Sequence, residues 1–164
     1  YDGKYIFSEL GYNFLPSEIS AAFALEQLKK LKNNVKTRIK NFEKLYRFFK
    51  NYSQLFDLPT QINGIKTGWL AYPIIIKPSS KIKRQAMQIF LEKKGIQTRT
   101  IFTGNIIRQP IMKNKKFKKV KNCSVNSDNI MKNGILIGCH QGLKSMEINY
   151  VFKCLKMFLK KYKD

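Results

Sequence analysis

Apolar residues in the first third of the chain recur in steps of three and four: Ile19, Ala22, Phe23, Leu28, Leu31, Val35, Ile39, Phe42, Leu45, Tyr46 and Phe49. That spacing puts them on one stripe of an α-helix. Pro16 and Ser17-Glu18 supply a start signal, and neither Gly nor Pro interrupts Glu18 to Tyr52. The pattern predicts one long helix or two abutting ones, with lysines on the opposite face. A helix of roughly 30 residues extends about 45 Å, which suits a link between subdomains or a subunit boundary better than the interior of one small core.

Turn signals at Leu58-Pro59 and Asn63-Gly64 come next, then the apolar run Trp69 to Ile76, read as a strand bounded by Pro78. KIKRQAMQIFLEKKG forms an amphipathic helix that ends at Gly95, where a left-handed residue is wanted. Ile96 to Phe102 reads as a second strand and Gly134 to Cys139 as a third; Asp128 to Lys132 reads as one or two helical turns. Ser145 to Tyr162 is a closing helix with Ile148, Val151, Leu155, Phe158 and Leu159 inward. This order predicts an α/β or α+β module, helices covering a small antiparallel or mixed sheet, without internal repeats.

With 164 residues, 43% hydrophobic, the chain is long and apolar enough for one packed core. No apolar run approaches the roughly 18 residues of a membrane-spanning helix, so a soluble, cytoplasmic protein is expected. The opening YDGKYIFSELGYN has no targeting features and starts at Tyr1, as a piece of a longer polypeptide would. Cys123, Cys139 and Cys154 are far apart and odd in number, which predicts free buried thiols rather than disulfides or a metal site. The net charge of +22 admits a basic module for nucleic acid or acidic membranes. Yet the lysines are scattered, densest at KNKKFKKVK (113–121), and lysine decoration of exposed helix faces explains them too. The charge also attracts anionic substrates.

No self-contained catalytic device is evident: the ten acidic residues are scattered and His140, in GCHQGL, is the single histidine. His140 is either structural or a ligand contact at the mouth of the sheet. In IFTGNIIRQP, Gly104 permits an unusual turn, and Asn105, Arg108 and Gln109, with Arg99 in the strand before, offer donors to phosphate, carboxylate or sugar hydroxyls. The same loop can be read as merely solvated. Asn13, ahead of the first helix, is a turn residue or an amide donor to an anion near a helix start.

GYNFLPSEISAAFALEQLKKL resembles the GYN segment and following alanine-rich helix of the DegT/DnrJ/EryC1/StrS family of pyridoxal-phosphate-dependent sugar enzymes. Sugar aminotransferases of that family carry a His-Tyr-Pro-Pro-Leu-His-like stretch before Gln-Pro. Here the sequence is TRTIFTGNIIRQP, which, with NSDNIMKNGILIGCHQGL, is similar to the 3-dehydratase branch acting on nucleotide-linked 4-keto-6-deoxyhexoses for lipopolysaccharide O-antigens. A keto-sugar aminotransferase is the alternative within the family.

The resemblance implies the C-terminal portion of the aspartate aminotransferase (type I) fold. Residues 1–16 would end the large domain, 17–52 form the connecting helix and 53–164 the small C-terminal domain. It also implies pyridoxal phosphate, as the pyridoxamine phosphate form in a dehydratase, and a homodimer in the intact enzyme. Asn13 would contact the cofactor phosphate, and Arg99, Asn105, Arg108, Gln109 and His140 a nucleotide-linked keto-sugar. The base, histidine in dehydratases and lysine in transaminases, would lie upstream of Tyr1 in the missing N-terminal large domain, leaving this piece inactive alone. Phe7 and Leu10 would then be left uncovered.

Overall fold

Helix α1 spans Glu18–Lys50 in the computed structural model, which describes residues 9–12, 14–116 and 124–162. Its 33 residues form one uninterrupted helix, the first of the two arrangements that the periodicity allows. Glu18 sits in the first turn and Arg47 and Lys50 in the last, each favourable to the helix dipole. The chain forms two compact units, Tyr1–Asn33 and Asn34–Asp164. In the first unit Leu10, Phe14, Leu15, Ile19 and Phe23 are exposed, which matches the expectation for Leu10; Phe7 lies outside the described residues.

The second unit is built on a four-stranded antiparallel sheet of order β1-β2-β4-β3: β1 Phe56–Asp57, β2 Ala71–Ile76, β3 Thr98–Arg99 and β4 Gly134–Gly138. Between the strands run α2 (Arg84–Lys93) and α3 (Val125–Asn133), and α4 (Ser145–Leu159) closes the fold, continued by a 3₁₀ turn over Lys160–Tyr162. β2 and β4 pair Tyr72 with Ile137 and Ile74 with Ile135, so the four side chains share one face, and all are buried.

Against that face pack Phe42, Leu45 and Phe49 of α1, Met87 and Leu91 of α2, and Val151, Leu155 and Phe158 of α4. Phe49 stacks on Tyr72 (5.5 Å between centroids) and Phe42 on Trp69 (3.9 Å). The opposite face carries Ala71, Pro73, Ile75 and Leu136, all half-buried. Pro73 is tolerated in β2 because the strand period puts its nitrogen on the β1 side. There Lys77 N–H donates to Leu55 O at 2.9 Å, whereas β1 pairs no further than Ile75 and leaves Pro73 no ladder bond to lose.

One strand and one unpredicted element depart most from the sequence pattern, while other ends shift by a few residues, as where α3 begins at Val125 rather than Asp128. The strand expected over Ile96 to Phe102 is reduced to Thr98–Arg99, because Phe102 adopts φ 46° and donates its N–H back to Thr100 O at 2.8 Å, turning the chain away from β4. β1 has no signal in the sequence, since two residues are too few to show alternation. The end of α2 follows expectation: Gly95 has φ 72°, and Gly95 and Ile96 donate to Glu92 and Leu91 carbonyls at 2.9 and 3.0 Å, a Schellman arrangement.

Candidate functional site

The loop leaving β3 is built by two left-handed residues, Phe102 (φ 46°) and Gly104 (φ 65°). A side chain at Gly104 would place its Cβ 2.6 Å from Met131 Cα, so α3 presses directly on the loop backbone and only glycine fits. Asn105 is 3% exposed; its Oδ1 accepts from Ile107 N–H at 3.0 Å and its Nδ2 donates to Asp128 Oδ1 at 2.8 Å. Arg108 forks onto the same carboxylate, Nε to Oδ1 at 3.0 Å and a terminal nitrogen to Oδ2 at 2.8 Å. Gln109 Nε2 donates to Thr103 O at 3.1 Å.

This knot fixes the loop against α3. The hydrogen bonds from Arg108 and then Asn105 hold the Asp128 carboxyl down at about 2, well below its ordinary 3.8. Asp128 was not singled out in the sequence. It carries no local motif, and its partners lie 20 and 23 residues away.

The turn after β4 is anchored from α1. Asn41, 3% exposed, donates through Nδ2 to the carbonyls of His140 and Leu143, each at 3.1 Å. Arg38 Nε donates to Gln141 Oε1 at 2.7 Å. Gly142 N–H donates to His140 Nδ1 at 3.2 Å, and a Cβ on Gly142 would meet the ring at 3.1 Å. Sequence reading missed Asn41, although it lies four residues before Leu45 and seven before Phe48, on the buried stripe.

Arg99 and His140 line one cavity of about 390 Å³, with Gln97, Glu147 and Tyr150 and an apolar lining that includes Leu136 and Leu143. The structure therefore brings these two predicted residues together. Asn105, Arg108 and Gln109 belong to a different feature, the loop knot on Asp128 and Thr103. Asn13 lies outside the described residues, as does Cys123. Cys139 and Cys154 are free and buried, and burial pushes the Cys139 thiol up to about 11, so it stays protonated near neutrality. Among the described residues no cluster could hold a metal ion, and no helix is long and apolar enough to cross a membrane.

Comparison with known proteins extends over nearly the whole chain. The lipopolysaccharide biosynthesis protein RfbH of Salmonella typhimurium is 34% identical over 158 residues, 96% of this chain and 36% of the relative. The GDP-4-keto-6-deoxy-D-mannose 3-dehydratase of Escherichia coli is 34% identical over 146 residues, 89% of this chain and 37% of the relative. A solved structure of the E. coli GDP-4-keto-6-deoxy-D-mannose-3-dehydratase with bound hydrated PLP superposes with a TM-score of 0.82 at 32% identity, covering 93% of this chain and 39% of that one.

The chain thus spans little more than a third of the length of these relatives. Its architecture is that of the C-terminal portion of the aspartate aminotransferase (type I) fold, an α+β unit with a small antiparallel sheet. The family model described as the DegT/DnrJ/EryC1/StrS aminotransferase family matches residues 1–156, and the chain belongs to that family.

Proposed function

We propose that this chain is the C-terminal part of a pyridoxal-phosphate-dependent 3-dehydratase acting on a nucleotide-linked 4-keto-6-deoxyhexose, in the cytoplasmic synthesis of O-antigen dideoxysugars. One observation carries the reading: 34% identity to RfbH along 96% of the chain, with the named GDP-sugar 3-dehydratase equally similar.

In this reading the chain holds substrate. Arg99 and His140 face the sugar nucleotide from their shared cavity. Asn105, Arg108 and Gln109 present a loop whose shape is kept by Asp128 and whose outer edge meets the same ligand. The N-terminal large domain supplies the base and most of the cofactor shell, residues 1–16 end that domain, 17–52 connect, and 53–164 form the small domain. A second copy completes a homodimer.

The relative's structure contains hydrated PLP. In this chain Asn13, which lies outside the described residues, is the residue that would hold the cofactor phosphate, by amide donation beside a helix start. When bound, as its pyridoxamine phosphate form, the group supplies an electron sink for departure of the C3 hydroxyl.

The test is assembly of the chain with the N-terminal region of a related dehydratase, followed by supply of cofactor and a nucleotide-linked 4-keto-6-deoxyhexose. Loss of one water, read by mass spectrometry, is the expected result. Gain of an amino group instead would select the aminotransferase alternative, which the family's own description favours. No conversion of either kind would overturn the reading. A nucleic-acid module would require steeply salt-dependent retention on RNA.

A further inference from the structure

At the end of the sheet opposite Arg99 and His140, the chain gathers cations around a second cavity. It measures about 450 Å³ and lies where β2 ends, α2 begins and α3 ends, with Lys77, Ser80, Lys83, Arg84 and Lys132 in its lining. The two cavities sit at the two ends of β4. Asn133, just before Gly134, lines this one, and Gly138, about 13 Å further along the strand, lines the other.

Arg84 is held in place there. Its Nε donates to Lys132 O at 2.8 Å and one terminal nitrogen donates to Gln88 Oε1 at 2.9 Å. Both acceptors are neutral, so the guanidinium is oriented while its charge stays unmatched and its other terminal nitrogen remains a free donor. Lys83 and Lys132 are exposed, and their ammonium groups make no hydrogen bond or ion pair among the described residues. Lys77 reaches Asp57 only at 3.8 Å. Among the described residues no carboxylate lines the cavity, and Asp128 of the adjoining α3 is already taken by Asn105 and Arg108.

Four positive side chains around one space, one of them an oriented fork, repel one another until an anion enters. We propose that this cavity binds a phosphoryl group, with Arg84 donating from its free edge and Lys83 and Lys132 supplying charge. A carboxylate would neutralise a single cation, whereas a phosphomonoester brings about −1.5 to −2 charges near neutrality and three acceptor oxygens. Soluble phosphate compounds and the headgroup of phosphatidic acid at a membrane surface both present that group. The site shares no residue with those assigned to sugar nucleotide or cofactor, so it stands apart from the proposed function.

The experiment is titration of the ¹⁵N-labelled chain with inorganic phosphate at physiological ionic strength. Saturable shifts are expected at Arg84 Nε–H and at the backbone amides around Lys83 and Lys132. Lys83→Gln combined with Lys132→Gln removes two charges whose side chains bond nothing in the fold, and should weaken the titration roughly tenfold or more. Lys36→Gln combined with Lys40→Gln removes the same charge from exposed positions of α1, and should change it by less than about twofold because distant exposed charges are screened.

Phosphatidylcholine vesicles containing phosphatidic acid form the second arm. Sedimentation with them that the cavity pair of substitutions abolishes and the α1 pair preserves, without a response to free phosphate, supports the site and assigns the group to a lipid headgroup. A response to free phosphate without sedimentation supports it with a soluble ligand, and both responses together support recognition from either source. No saturable response in either arm at millimolar phosphate, shifts spread over the surface, or equal weakening by the two pairs would overturn the proposal and leave only the general attraction of a chain with net charge +22. Dehydration by the assembled enzyme is read separately, so either reading can fail while the other stands.

Discussion

The side-chain amide of Asn41 and the backbone carbonyl of His140 meet at 3.1 Å across 99 residues of sequence, joining α1 to the turn that ends β4. The same amide reaches Leu143 O, so one buried side chain ties down two carbonyls of a turn in which His140 O also accepts from Leu143 N–H at 3.1 Å. Replacing Asn41 with Leu keeps volume and burial but removes both bonds. We expect a loss of about 1–3 kcal/mol of stability, the net contribution of two hydrogen bonds, with His140 O keeping its Leu143 N–H donor. Urea denaturation measures it, and a loss under a few tenths of a kcal/mol would show that water replaces the amide.

Asp128 predicts acid sensitivity of the loop. Its carboxyl titrates at about 2 in the folded chain against an ordinary 3.8. A depressed folded value means that the ionised form is favoured by folding, so its contribution is fully present above the ordinary value and is lost as pH falls toward about 2. The Asn105 side-chain amide resonance should therefore move between about pH 4 and pH 2, and Asp128→Asn should abolish that movement. Retention of the movement in the variant would assign it to another group.

Gly95 and Gly104 separate two costs of adding a methyl group. Around Gly95 nothing lies within 4 Å of an added Cβ, so Gly95→Ala meets only the backbone penalty of φ 72°, about 1 kcal/mol. Gly104→Ala adds a collision with Met131 to a similar φ of 65°, and should cost clearly more. Thermal melts of the two variants give the comparison; equal losses would mean that α3 moves away freely.

These glycines also show what the sequence could convey. Gly95 was legible because helix ends have a local signature: amphipathic spacing, then a glycine. The long helix and the core strands were legible for the same reason, their periodicity being carried by consecutive residues. The contacts that shape the site are not local. Arg108 and Asp128, or Asn41 and His140, have no spacing rule that links them, so donors such as Arg108 read as available when the fold has already paired them. Arg99 read the same way and makes no side-chain hydrogen bond or ion pair among the described residues, a difference that only the tertiary arrangement decides.

Phe102 is a bulky residue at φ 46°, which carries backbone strain of order 1–3 kcal/mol, and it is also 82% exposed, so burial of its ring does not offset the strain within this chain. The Thr100 hydroxyl bonds Phe102 O at 3.0 Å and helps hold the conformation. Phe102→Gly should therefore stabilise the chain by about 0.5–1 kcal/mol, less than the full strain because glycine also loosens the unfolded state. The gain would be read as a higher denaturation midpoint at unchanged m-value. A lower midpoint would mean that the ring makes contacts worth more than its strain. A higher one would mark Phe102 as a residue kept at a cost to folding, beside a loop whose neighbours Asn105 and Arg108 are both spent on holding its shape.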